Sequence, residues 1–152
     1  MVSVLSSCAH LGSFDVGRSV HCVLLRNTAR LNTITQTSLV DMYAKCGSIE
    51  KATAVFDAMD CKNAWTYSAM LSGLALHGDG RKALQVFDAM VKEGHAPDAA
   101  AYVGVLNACS RDGLLEEGLR CFDHMRLEVA SNALHYCNEW RAFAVAQSEQ
   151  DD

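Results

Sequence analysis

Apolar and polar positions follow one another along this chain with a helical period. Ile49, Ala52, Val55, Phe56 and Met59 fall three and four residues apart, which places them on one face of a helix. Leu39, Val40, Met42, Tyr43 and Ala44 do the same just before Lys45-Cys46-Gly47, where the glycine suits a left-handed C-terminal cap. The pattern then returns. Gly47, Gly78 and Gly113 are separated by 31 and 35 residues. The same two intervals separate Ala52, Ala83 and Gly118, and also the Phe56, Asp57 and Met59 rows from their counterparts at Phe87, Asp88 and Met90 and at Phe122, Asp123 and Met125. A further 35 residues back from Gly47 lies Gly12, with Gly17 where the small residue belongs. Each unit predicts two helices around a turn glycine, with the small position allowing close approach and the Phe and Met rows forming core between hairpins. A lone hairpin cannot cover such a stripe, so the expected fold is all-α, helix-turn-helix units stacked as a right-handed α-solenoid.

Composition narrows the function classes. Half of the 152 residues are apolar and only one is proline, which suits closely packed helices with short connections. The longest uncharged stretch, Asn63–Gly78, is too short and too polar to span a bilayer, so no membrane partner is expected. No basic segment followed by an apolar core and cleavage site opens the chain, so no targeting peptide is recognised. Seven cysteines, an odd number without a Cys-x-x-Cys pair, read as reduced thiols packed as small apolar groups in a reducing compartment. The net charge of −5 argues against a nucleic-acid surface. Its location weakens that argument, because the tail 138–152 carries Glu139, Glu149, Asp151 and Asp152 against Arg141 alone. No acid lies between Trp65 and His77, whereas Glu50, Asp57, Asp88, Glu116, Glu117 and Asp123 all fall in second helices.

The tetratricopeptide repeat, with its period of about 34 residues, lacks support because its Trp-x-x-Leu-Gly-x-x-Tyr opening is missing. The units instead resemble those of plant pentatricopeptide-repeat proteins. Leu39-Val-Asp-Met-Tyr-Ala-Lys-Cys-Gly-Ser-Ile-Glu-Lys-Ala followed by Val55-Phe-Asp-Ala-Met resembles the short unit of that family. Tyr67-Ser-Ala-Met-Leu-Ser-Gly-Leu, then Val86-Phe-Asp-Ala-Met and Gly94-His-Ala-Pro-Asp98, resembles its standard unit. Val105-Leu-Asn-Ala-Cys-Ser with Gly113-Leu-Leu-Glu-Glu-Gly resembles the long unit, as does Val4-Leu-Ser-Ser-Cys-Ala with Gly17-Arg-Ser-Val-His. The expected organisation is a partial long unit at 1–32, a short unit at 33–63, a standard unit at 64–98, a long unit at 99–130 that degrades after 126, and an atypical tail at 131–152. The mixed order resembles the PLS subclass, as a fragment lacking its C-terminal E and DYW domains. Ser131-Asn-Ala-Leu-His-Tyr-Cys weakly resembles the opening of a further unit.

The resemblance implies sequence-dependent binding of single-stranded organellar RNA, one base per repeat, matching helical repeats that read a base with two or three side chains. It implies that the fifth and last residues of a unit face the base edge while the second residue sandwiches its ring. These are Thr37 and Asn63 with Ile34 in the short unit, and Ser68 and Asp98 with Trp65 in the standard unit. A hydroxyl with Asn favours adenine by the family pattern, and with Asp favours guanine. Asn offers a donor and an acceptor for the mixed edge of adenine, whereas an ionised Asp only accepts, which suits the N–H donors of guanine. In the long units the fifth positions are Val2 and Val103, and Asn32 closes the first; these are expected to contribute spacing or packing more than readout. The implied role is a specificity factor in organellar RNA processing or C-to-U editing, in a mitochondrion or chloroplast, beside editing-complex proteins that supply the chemistry.

Simpler readings stand beside these. Asn63 and Asp98 each precede a predicted helix and suit N-capping, and Trp65 can pack between hairpins. Cys121, His124, His135 and Cys137 are metal-like in type, but Cys121 occupies the packing position of Val55 and Val86. Neither the His-x-Glu and Cys-x-x-Cys of a deaminase nor a phosphate loop or nucleophile elbow occurs, so no enzyme activity, cofactor or small-molecule substrate is expected. The competing function class is a protein-interaction scaffold using the same groove. A truncated gene product without function is the third reading, since the first unit lacks its opening residues.

Overall fold

The computed structural model describes the backbone of residues 1–28 and 30–148, with side chains as far as 131. Eight α-helices and no strand are present among them: α1 Val2–Leu11, α2 Phe14–Asn27, α3 Thr33–Lys45, α4 Ile49–Asp57, α5 Ala64–His77, α6 Gly80–Lys92, α7 Ala99–Asp112 and α8 Leu115–Ser148. Tight turns join α1 to α2, α3 to α4, α5 to α6 and α7 to α8, and the turn glycines Gly12, Gly47, Gly78 and Gly113 all take positive φ. At Gly78 (φ 72°) the chain reverses in two residues, and its N–H bonds Ala75 O while that of Asp79 bonds Leu74 O. A side chain there would be strained whatever the available space.

The hairpins stack in sequence order. The first helices α1, α3, α5 and α7 pack one on the next as a continuous layer, and each second helix packs against its own partner and the following first helix. This is the solenoid arrangement. Leu39, Val40, Met42, Tyr43 and Ala44 are buried, as their spacing requires. Phe56 meets Tyr67 edge-on at 5.4 Å between ring centroids, and Phe87 lies 5.5 Å from Tyr102, so each aromatic of a second helix seats on the next first helix. Ala52 and Ala83 are fully enclosed, and a side chain at Gly17 would require the end of the Met42 side chain to move aside.

Three expectations change. Phe122 is 43% exposed and Met125 half-buried, unlike the Phe56, Phe87, Met59 and Met90 positions they repeat. The reason is the missing neighbour: among the described residues no further first helix covers that face. The weak echo of a new unit at Ser131 meets no turn, because α8 runs on without a break. No glycine or proline lies between Gly118 and Ser148, so nothing interrupts its backbone hydrogen bonding. Cysteine packing holds for Cys8, Cys109 and Cys121, but Cys22 and Cys61 are exposed.

Hydrogen bonds between successive first helices add a link with no hydrophobic signature. His77 Nε2 donates to Ala44 O at 3.0 Å, Arg111 Nη1 to Ala75 O and Leu76 O at 3.2 and 2.9 Å, and Cys46 Sγ to Cys8 O at 3.6 Å. Each side chain ties its own helix to the C-terminal turn of the preceding first helix, adding a second donor to carbonyls such as Ala44 O and Ala75 O that also accept a backbone N–H.

Candidate nucleic-acid interface

Three of the residues singled out in the sequence begin helices. Asn32 Oδ1 accepts from Thr35 N at 2.8 Å, Asn63 Oδ1 from Thr66 N at 2.9 Å, and Asp98 Oδ1 from Ala101 N at 2.8 Å. Each has extended backbone and side-chain oxygen in the N-cap position, so the capping role is real. All three caps remain exposed.

The fifth positions reach the same points. Ser68 Oγ donates to Asp98 Oδ1 at 2.8 Å, across a sequence separation of 30 residues, with Ala64 O at 3.0 Å as a second acceptor. Thr37 Oγ1 lies 2.8 Å from Thr66 Oγ1, and Thr66 Oγ1 donates to Asn63 Oδ1 at 3.0 Å. In the short and standard units the last residue is therefore joined to the fifth, directly in one case and through Thr66 in the other. Ser68 and Thr37 are almost wholly buried, while Asn63 and Asp98 stand at the surface. Both pairs come together by one mechanism: a cap opens the next first helix, and that helix packs on the previous one.

The second positions flank these pairs. Trp65 is 76% exposed and Ile34 66% exposed, in the first turns of α5 and α3. Trp65 does not pack between hairpins. Val103 and Val2 are exposed as well, 58% and 39%, and carry no hydrogen-bonding group. Thr66 was absent from the sequence reading. A threonine at the third residue of a helix looks like an ordinary capping-box partner, which it also is.

Residues 63–78 carry no acid or formal base, and Asp41 is paired with Lys45 at 2.9 Å. Glu50, Asp57, Asp88, Glu116 and Asp123 are exposed on second helices. The metal-like pair has another explanation: His124 Nδ1 bonds the Tyr102 hydroxyl at 2.8 Å, and Cys121 is buried with its thiol pushed up to about 11 chiefly by burial. The thiol packs in the hydrophobic core. His135 and Cys137 lie outside the described side chains. Likewise burial, reinforced by Glu93, raises the Tyr67 phenol well above its ordinary value, leaving it neutral in the core.

Comparison with known proteins bears on the repeats and the fold. The PPR repeat family matches residues 62–111, and the PPR repeat matches 37–63 and 100–128. A pentatricopeptide repeat-containing protein of Arabidopsis thaliana is 54% identical over 138 residues, covering 90% of this chain and 23% of that protein. Another from the same plant, named as mitochondrial, is 42% identical over 138 residues, 90% of this chain and 20% of its own length. The chain thus spans about a quarter or less of these relatives. Among solved structures, the maize pentatricopeptide repeat protein PPR10 superposes with a TM-score of 0.71 at 26% identity, over 84% of this chain and 19% of that one. Its complex with an 18-nucleotide psaJ RNA element gives 0.66 at 24% identity, with the same coverage. Nuclear proteinaceous RNase P 2 of Arabidopsis thaliana shares the fold, with a TM-score of 0.68 at 18% identity over 84% of this chain and 30% of that one. With repeat matches running from 37 to 128 and the hairpin stack that carries them, this chain belongs to the pentatricopeptide-repeat family.

Proposed function

We propose that the chain binds single-stranded RNA in a sequence-dependent way, one base per repeat, and that it serves as a non-catalytic specificity factor in organellar RNA processing or C-to-U editing. The observation that carries this is the convergence of fifth and last residues, above all the 2.8 Å bond between Ser68 and Asp98. In this reading 33–63 and 64–98 are the reading units, and 1–32 and 99–130 are long units that set spacing through Val2 and Val103. Thr37 with Asn63 takes adenine, Ser68 with Asp98 takes guanine, and Ile34 and Trp65 hold the rings. Stacking on an aromatic is typically worth about 1–3 kcal/mol per base, so two units bind weakly and longer arrays firmly. The RNA bound to PPR10 supports the ligand class. The relative named as mitochondrial supports an organellar location. The PLS order belongs to the same proposal, and so does chemistry supplied by other proteins of the assembly.

The test is anisotropy titration of short synthetic RNAs at low salt. An oligonucleotide containing A followed by G, running parallel to the chain, is expected to bind best. Asp98→Asn is expected to move the preference at the second base toward A. Equal affinity for all four bases overturns the reading, and capture of a peptide in place of RNA supports a scaffold instead.

A further inference from the structure

We infer that Thr66 is a positioning residue that sets the hydrogen-bond polarity of the Thr37/Asn63 pair, so that this site selects bases carrying an exocyclic amine beside an unprotonated ring nitrogen. The inference rests on the RNA reading proposed above.

The argument begins with a backbone N–H. Thr66 N points at one side-chain atom of Asn63 from 2.9 Å, and a backbone N–H can only donate, so that atom is the amide oxygen. Oδ1 receives a second bond, from Thr66 Oγ1 at 3.0 Å. The Thr66 hydroxyl has one proton, and that bond uses it. Thr66 is fully buried, so its remaining capacity is met inside the protein: Oγ1 accepts from Asn63 N at 3.4 Å and from Thr37 Oγ1 at 2.8 Å. The reverse direction would leave two acceptor oxygens facing each other at 3.0 Å, which is repulsive. The relay therefore runs from Thr37 to Thr66 to Asn63.

Both ends of the relay are then committed. Thr37 has given up its proton and presents only lone pairs. Asn63 has its oxygen occupied and presents only the Nδ2 donors. With the exocyclic group set against Thr37 and the ring nitrogen against Asn63, one acceptor beside one donor matches adenine, through N6–H and N1, and cytosine, through N4–H and N3. It opposes guanine and uracil, whose corresponding ring nitrogen carries a proton. The acceptor that adenine needs thus comes from the threonine, not from the asparagine amide.

The second site behaves differently without such a relay. Its third residue is Ala101, and Ser68 donates straight to Asp98 Oδ1 or to Ala64 O. Ser68 Oγ and Asp98 Oδ2 remain as two acceptors, which suit a base with ring and exocyclic N–H donors. A hydroxyl at the third position accompanies the amide and is missing beside the carboxylate.

The experiment titrates the full chain with four short RNAs that differ only at the base facing Thr37 and Asn63. Wild type is expected to favour A and C over G and U. Thr66→Val removes the hydroxyl at nearly constant shape, which frees Thr37 to donate; the preference should then fall about fivefold, the equivalent of one neutral hydrogen bond. Thr66→Ser should retain it, which a purely steric role for Thr66 does not predict. Thr66→Ala is titrated beside the valine variant, with circular dichroism on each, so that one misfolded protein does not leave the result open. Folded variants without the hydroxyl that keep the wild-type preference overturn the relay while leaving RNA reading intact. A wild-type chain indifferent to the base overturns the reading and the relay together.

Discussion

Gly73 lies in the middle of α5, where it faces α3, and the contact there fixes how closely first helices stack. A methyl group at this position would stand 2.6 Å from Ala44 Cβ, closer than two carbon atoms approach. The neighbours beyond are comfortable, with Ile49 Cδ1 at 3.6 Å and Ala44 Cα at 4.0 Å. Two effects compete in Gly73→Ala. Replacing glycine within a helix gains about 1 kcal/mol of propensity. Forcing an extra methyl into a filled contact costs about 1–3 kcal/mol, because Ala44 has no rotamer with which to yield. The expected net is a loss of about 1 kcal/mol. Removing the obstacle reverses the sign. In an Ala44→Gly background the clash is gone, and the same Gly73→Ala change should stabilise by up to about 1 kcal/mol. The two substitutions should therefore show a favourable coupling of about 1–3 kcal/mol in a double-mutant cycle. Urea denaturation followed by far-ultraviolet circular dichroism measures all four proteins. If Gly73→Ala stabilises the wild-type chain, or if the coupling is below about 0.5 kcal/mol, the helices have slack and the close-contact account is wrong.

Two further outcomes follow from side chains at opposite extremes of burial. Trp65→Ala removes an indole that is 76% exposed, so stability should change by no more than about 0.5 kcal/mol while RNA affinity falls about 5- to 150-fold; a large stability loss with unchanged affinity would assign Trp65 to packing. His21, whose Nδ1 bonds the Tyr43 hydroxyl at 2.9 Å, has its pKa lowered from 6.5 by burial. The unfolded chain protonates His21 first as pH falls. Its contribution is complete above 6.5 and is lost as pH drops from there through the lower folded value. Thermal melts across that range should show a steeper acid decline in wild type than in His21→Gln, and parallel slopes would refute the assignment.

The hairpins were legible because their signals are local. Ile49, Ala52, Phe56 and Met59 state a helical face within eleven residues, and Gly47, Gly78 and Gly113 mark reversals that few other residues tolerate. The pairing of Ser68 with Asp98 was legible only through family resemblance, since nothing in the spacing of two polar residues says that they touch. Phe122 misled for the opposite reason. It repeats Phe56 and Phe87 by position, but its burial depends on a neighbour that its own unit does not contain.

What this sequence determined unaided is therefore the unit: helix, left-handed glycine, helix, a small residue for close approach and an apolar stripe that demands stacking. Tertiary structure alone decided the chemistry of the surface. Asn63 shows a donor because Thr66 N and Oγ1 both bond its amide oxygen, and Thr37, 29 residues earlier in the chain, is left to donate to Thr66. Hydrogen-bond direction is set by which groups stand within about 3 Å of one another. Periodicity specifies which face of a helix is buried, but distances of that kind exist only once the helices have packed.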